Sequence, residues 1–257
     1  MNMIANYHTH TWRCNHASDR EENYVQVAVE QGMEILGFSD HTPYYFPGSY
    51  YSRFRMRPEL LDDYVETVQK MKGRYAGQID IHLGLELEYY PGLLPKLLPV
   101  LREKPIEYLL LGQHFIGDEI GEHYSGSPTA DEEILRRYCH QSMDAMNSGL
   151  FTYFAHPDLL HFVGDRKVYE RYMAELCREA TSCAMPLEMN LLGIREDRNY
   201  PNPLFWEQAA EAGCRVILGA DAHEPWVLAD QKTEQLALEI LKTLGIEVME
   251  KVGLKSF

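Results

Sequence analysis

Seven short apolar runs, separated by longer stretches with helical spacing, predict an α/β fold on a parallel sheet. Residues able to bind metal end six of those runs, which predicts that the sheet curls into a barrel whose strand ends share one mouth. With 45% hydrophobic residues over 257 positions, the chain can fill the core of one large domain spanning 1–257.

The runs fall at about 3–8, 34–39, 79–87, 106–113, 151–155, 186–190 and 215–220, each bounded by polar residues, Gly or Pro. Helical spacing recurs at 21–32, at 58–76 behind Pro58, at 131–148, at 166–182, and at 203–212 before Gly213. Strand followed by helix, repeated, implies right-handed crossovers in a parallel sheet. Seven such units suit a closed barrel or an open doubly wound sheet, and the strand-end residues favour the barrel.

Those residues come in order. The first run ends in His8-Thr9-His10, with His16 on the loop beyond; the second ends in Asp40-His41; the third in Glu86-Leu87-Glu88; the fourth in Gly112-Gln113-His114. The fifth ends in His156-Pro157-Asp158 and the seventh in Asp221-Ala222-His223. Two residues apart on an extended chain, side chains project to the same side, so His8 with His10, and Asp221 with His223, can each grip one ion. Leu83, Leu85 and Leu87 alternate with Glu86 and turn it inward, where a carboxylate needs a partner such as a cation. Glu88 competes for that role. His82, His123, His140 and His161 fall outside the pattern and read as surface or structural residues.

Composition excludes several function classes. A net charge of −15 argues against long nucleic acid as a partner, because backbone binding needs a surplus of Lys and Arg. A small phosphorylated substrate stays open, since bound cations reverse the local charge. No run of about 18 apolar residues and no signal-like N-terminus is present, so a cytoplasmic protein without membrane spans is expected. The five cysteines form no CxxC pair and read as reduced, mostly buried thiols. Cys14 to Arg20 matches the bare C-x5-R spacing of cysteine-dependent phosphatases, but that loop lacks Gly and contains Asp19, which would repel phosphate. The aromatic residues Tyr44, Tyr45, Phe46, Tyr50 and Tyr51 line a pocket or pack the loops; oligomeric state is not legible.

The order HxH, His16, SDH, GxE, a strand-end His, HPD and DAH resembles the PHP family from residue 8 to residue 223. The stretches FSDHTPYY, GLELEYYPG, LLGQHF, AHPDLL and LEMNLLGIR resemble its histidinol-phosphatase branch. The resemblance implies a distorted (β/α)7 barrel with about three divalent cations: zinc, manganese or iron. It implies that one ion takes His8, His10, Glu86 and Asp221, a second Glu86, His114 and His156, and a third His16, His41 and His223. Strand six carries no ligand, but Arg195 shortly after it is implied to bind phosphate, with His41 and His223 also facing the substrate. Arg198 reads as a surface arginine. The expected chemistry is attack by a hydroxide shared between two ions held by Glu86, releasing phosphate from a small monoester such as histidinol phosphate. Asp158 and Asp40 are expected to orient ligands or to supply the proton for the leaving alcohol.

Overall fold

The computed structural model describes residues 3–257. Eight strands form one sheet in chain order, every neighbouring pair parallel: β1 (Ala5–Asn6), β2 (Ile35–Phe38), β3 (Asp80–Leu87), β4 (Tyr108–Leu111), β5 (Tyr153–Phe154), β6 (Leu187–Asn190), β7 (Val216–Gly219) and β8 (Val248–Met249). The seven expected runs are all there. The eighth strand is two half-buried residues long, too short for an apolar pattern to show, and pairs with the start of β7.

Among the described residues the sheet closes on itself only at the C-terminal mouth. There the chain beyond β1 meets the chain beyond β7 through a Thr9–Ala222 bridge, with the His10 N–H donating to Ala222 O at 2.9 Å and the Ala222 N–H to His8 O at 3.1 Å. Asn6 holds the seam from inside, its Nδ2 donating to Thr9 Oγ1 and its Oδ1 accepting from the Ala220 N–H. The result is the expected α/β barrel, distorted by the short strand beside the opposite end of β7.

The helices are α1 (Glu21–Glu30), α2 (Leu61–Arg74), α3 (Leu94–Arg102), α4 (Glu132–Asn147), α5 (Arg166–Ser182), α6 (Leu191–Arg195), α7 (Pro203–Glu211) and α8 (Gln231–Thr243). Asp131 and Asp165 cap α4 and α5 by accepting backbone N–H groups, and Gly213 ends α7 at φ +67°. The helix α3 contains Pro99, which masks it in a pattern reading. Among the described residues no helix is long and apolar enough to cross a membrane.

Strand alternation separates two cores. Leu83, Leu85, Leu87, Leu109, Leu111, Leu187, Met189, Val216 and Leu218 face the helices. Tyr7, Tyr108, Leu110, Tyr153 and Ile217 fill the barrel. Tyr108 lies edge-on to Tyr7 at 6.1 Å, and its hydroxyl donates to Tyr7 O at 2.7 Å. It fits because Gly37 and Gly84 have no side chain; a Cβ at either would collide with its ring or hydroxyl. This aromatic plug is the floor on which the strand-end groups stand.

At the other end, Glu107 joins three elements. Its carboxylate accepts from Lys72 Nζ on α2 at 2.8 Å and from the Leu83 N–H on β3 at 3.0 Å, and lies 2.8 Å from His82 Nδ1. Burial works against its charge, yet His82, Lys72 and the Leu83 N–H outweigh it and hold the carboxyl down from 4.5 to about 2. A depressed carboxyl stabilises the fold fully above its unfolded value and loses that contribution as pH falls toward its folded one. Glu107→Gln is therefore expected to lower the unfolding free energy by about 1–2 kcal/mol at pH 7, allowing for solvent screening, and by less than half as much at about pH 3. Urea titrations of both proteins at the two pH values measure this.

Candidate metal centre

The mouth gathers all nine ligand candidates. Glu86, on β3 and buried, is the hub. Its Oε1 lies 2.8 Å from His156 Nε2 and 3.4 Å from His114 Nε2. Its Oε2 lies 2.9 Å from His41 Nδ1 and 3.6 Å from the Nε2 atoms of both His8 and His10. Asp221 Oδ1 lies 3.0 Å from His10 Nε2 and 3.5 Å from His8 Nε2. The rings of His16, His41 and His223 complete the cluster: His10 stacks on His223 at 4.1 Å, and His16 lies 4.6 Å from His223 and 5.2 Å from His41. The trios His8–His10–Asp221, His8–Glu86–His156, His10–His41–Glu86 and His16–His41–His223 each bring ligand atoms within 4.8 Å of one another.

Apart from the hydrogen bond between His156 Nε2 and Glu86 Oε1, these approaches are close but poorly aligned as hydrogen bonds. The buried atoms without a partner include His8 Nε2, both nitrogens of His10, His41 Nδ1, His156 Nδ1, His223 Nε2, Glu86 Oε2 and Asp221 Oδ1. Orphaned polar atoms are costly inside a protein, and so many aimed at one volume fit cations. Charge sorting agrees. His41 and His223 are held well below the ordinary imidazole range, first by burial and then by neighbouring His10, so they stay neutral, the form that ligates. Burial also opposes the charges of Glu86 and Asp221, but the surrounding imidazoles outweigh it and keep both ionised.

Backbone and packing are shaped to the cluster. His156 and Asp221 sit at φ +32° and +46°, left-handed conformations that non-glycine residues adopt at a cost of about 1–3 kcal/mol. Gly112 leaves room for the Glu86 carboxylate, where a Cβ would collide with Oε1.

A second set of polar side chains orients the first. Glu188, which the sequence pattern did not single out, lies with Oε2 2.9 Å from His8 Nδ1. Asn190 Nδ2 donates to Glu188 Oε1 at 2.7 Å and to Asp221 Oδ2 at 3.1 Å. Strand six thus supplies orienting groups, and their signal was the alternation of polar Glu188 and Asn190 with Leu187 and Met189. Glu88 takes no place among the orphaned atoms; it lies 2.9 Å from His114 Nδ1 and is paired with Arg55. Asp40 lies 3.5 Å from His10 Nδ1 and accepts from the Thr11 hydroxyl and the His41 N–H.

Other expectations meet a different arrangement. Asp158 Oδ2 accepts from the Asn202 N–H at 2.6 Å and from Trp206 Nε1 at 3.0 Å, so its carboxyl anchors the start of α7 and does not line the cavity. Cys14 is buried, its thiol pushed up by burial, and Arg20 is exposed, so the two build no phosphate cradle. Arg198 is exposed, as expected, and it also lines the cavity, with its guanidinium on Glu196 Oε2 and Tyr200 Oη. Arg195 does not line it; both terminal nitrogens are buried without a hydrogen-bond partner, the nearer 3.8 Å from Asp230 and the group 5.7 Å from the Trp226 ring. Of the remaining histidines, His82 sits on Glu107 and His123 near Ser127 O.

Above the cluster opens a cavity of about 540 Å³. One wall is aromatic, Phe54 stacking on Phe115 at 5.6 Å and Tyr124 packing on Phe115 at 5.4 Å; the other carries Leu192, Glu196, Arg198 and Tyr200.

Residues 6–192 match the family model described as PHP domain. The chain is 31% identical to a histidinol-phosphatase of Bacillus subtilis over 84% of this chain and 92% of that one. It is 30% identical to a Deinococcus radiodurans protein named "Probable histidinol-phosphatase", over 88% of both. The structure superimposes on the histidinol phosphate phosphatase of Lactococcus lactis, solved with zinc, L-histidinol and phosphate, with a TM-score of 0.75 at 20% identity over 98% of this chain and 100% of that one. Fold, matched sequence and the order of the strand-end residues agree: the chain belongs to the PHP family, in which the two relatives of 30% identity or more described above carry the name histidinol-phosphatase or probable histidinol-phosphatase.

Proposed function

We propose that this chain is a phosphoric monoester hydrolase that converts histidinol phosphate to histidinol and phosphate, with about three divalent cations held at the mouth of the barrel. The observation that carries the reading is the convergence of buried, unpartnered imidazole nitrogens and carboxylate oxygens on one cavity. His8, His10, Glu86 and Asp221 would hold one ion, Glu86, His114 and His156 a second, and His16, His41 and His223 a third. Such a mixed imidazole and carboxylate set accepts zinc, manganese or iron. Bound there, cations supply positive charge for phosphate oxygens and acidify a water molecule.

The chain's own groups do the rest. Glu86 presents one oxygen to His8, His10 and His41 and the other to His114 and His156, so this carboxylate alone reaches both sides of the cluster. Arg198 brings positive charge to the cavity lining, a complement to the charge of a phosphoryl group, and Arg195, outside that lining, keeps N–H donors without a hydrogen-bond partner that a phosphoryl oxygen would satisfy. The stacked Phe54 and Phe115, with Tyr124 tilted against Phe115, give aromatic surface for the planar ring of the leaving alcohol, and Glu196 a carboxylate for its ammonium. Asp158, held by Asn202 and Trp206, is assigned to positioning the loop after β5.

A panel of phosphomonoesters including histidinol phosphate, assayed with and without chelator, tests the reading. Histidinol phosphate is expected to be the best substrate, with turnover lost on chelation. His8→Ala and His10→Ala should each lower kcat/KM by at least about 10³-fold and reduce bound metal on elemental analysis, while Cys14→Ser keeps activity. Full activity of both histidine variants after chelation overturns the mechanism.

The two arginines are separated by substitution. Arg195→Met and Arg198→Met are each expected to lower kcat/KM by about 10- to 100-fold, the loss of a charged hydrogen bond of roughly 1.5–3 kcal/mol, without changing metal content. An unaffected Arg195→Met would remove that residue from phosphate binding.

A further inference from the structure

Glu86 and Glu88 are the same residue type two positions apart, and both are buried. Their surroundings differ. Glu86 Oε2 has no hydrogen-bond partner. Both oxygens of Glu88 are engaged: Arg55 Nη1 donates to Oε2 at 2.9 Å and Nη2 to Oε1 at 2.9 Å, while His114 Nδ1 also lies 2.9 Å from Oε1.

Arg55 comes from the long connection between β2 and α2 and is 1% exposed. Its remaining donors are used as well, Nη1 on Thr42 O at 3.0 Å, Nε on Glu119 Oε2 at 2.9 Å, and Nη2 on the same oxygen at 2.6 Å. Phe54, Tyr44 and Phe46 surround the guanidinium, with ring centres 4.6, 5.4 and 5.8 Å away. Glu119 belongs to the β4–α4 connection, which also carries Phe115 and Tyr124, and accepts from the Tyr50 hydroxyl at 2.9 Å.

We propose that Arg55 is a positioning residue that assigns Glu88 to His114 instead of to the cations, and that fastens the aromatic wall of the cavity to that ligand. The fork matches a carboxylate in two parallel hydrogen bonds, fixing the plane of Glu88. A fixed Glu88 accepts a hydrogen bond from the His114 Nδ1–H and keeps the proton on that nitrogen, which leaves Nε2, 3.4 Å from Glu86, with its lone pair toward the cluster. Without Arg55 the Glu88 carboxylate is a buried charge two residues from Glu86 with no cationic counterpart, and it turns to the cations or takes up a proton. In both cases His114 loses its orienting partner. Through Glu119 the same guanidinium joins the two connections that supply Phe54, Phe115 and Tyr124, so ordering of the cavity wall and setting of His114 depend on one side chain.

The inference rests on the reading of His114 as a cation ligand, and the test separates the two. Zinc affinity of the metal-stripped full chain is measured by competition with a chromophoric chelator for the wild type, Arg55→Met, Arg55→Lys, Glu88→Gln, Glu119→Gln and His114→Ala, with folding checked by circular dichroism. Arg55→Met and Glu88→Gln are expected to bind their weakest zinc about 10- to 100-fold less tightly than the wild type. Arg55→Lys keeps the charge but not the fork and should recover only part of that loss. Glu119→Gln should leave zinc affinity within about twofold while raising KM several-fold, since it loosens the wall and leaves Glu88 paired.

Wild-type zinc affinity in folded Arg55→Met, or in Arg55→Lys and Glu88→Gln together should Arg55→Met fail to fold, overturns the role of Arg55. Unchanged zinc binding in His114→Ala instead overturns the ligand reading beneath it.

Discussion

One carboxylate organises the mouth of this barrel. Glu86 projects from β3 into a space where burial alone would favour its neutral form, and five imidazoles from four other segments of the chain surround it and hold it ionised. Those segments are far apart in sequence and meet because parallel strands end on one face. Moving Glu86 would leave His8, His10, His41, His114 and His156 packed together without a shared counter-charge. The rest of the site is arranged around this demand. Gly112 clears the volume, and the strained backbone at His156 and Asp221 turns those side chains inward.

Charge at two scales explains how an acidic chain can host phosphate. The overall balance is −15, but the mouth concentrates seven imidazoles against Glu86 and Asp221. His41 and His223 among them stay neutral because burial and the neighbouring His10 disfavour further protons, leaving lone pairs where a cation belongs. The bulk charge therefore bears on long polyanions, whereas the site answers to its local field.

Much of this was legible before any coordinates. The seven runs, the helices opened by Pro58 and closed by Gly213, and the convergence of His8, His10, His16, His41, Glu86, His114, His156, Asp221 and His223 follow from strand periodicity and from residue types at strand ends. What stayed hidden depends on distance across the fold. Glu188 looks like any polar strand residue until His8 is placed beside it, and Glu88 competes with Glu86 until Arg55 arrives from another connection. Asp158 shares a motif with His156, yet the left-handed turn at His156 sends the two side chains to different neighbours. Arg195 ends α6 and Arg198 follows three residues later, and only the path of the chain after α6 decides which one faces the cavity. The eighth strand is too brief to leave a pattern.

Gly219 on β7 faces Glu188 on β6 so closely that a Cβ would overlap the carboxylate. The two positions are therefore bound together in descent. A larger residue at 219 would push the acid at 188 off His8, so a chain that keeps this carboxylate on its imidazole is expected to keep the glycine with it. Loss of that glycine in a distant cousin would mark a site whose first imidazole has already been released from its partner, readable from a single strand without reference to the histidines.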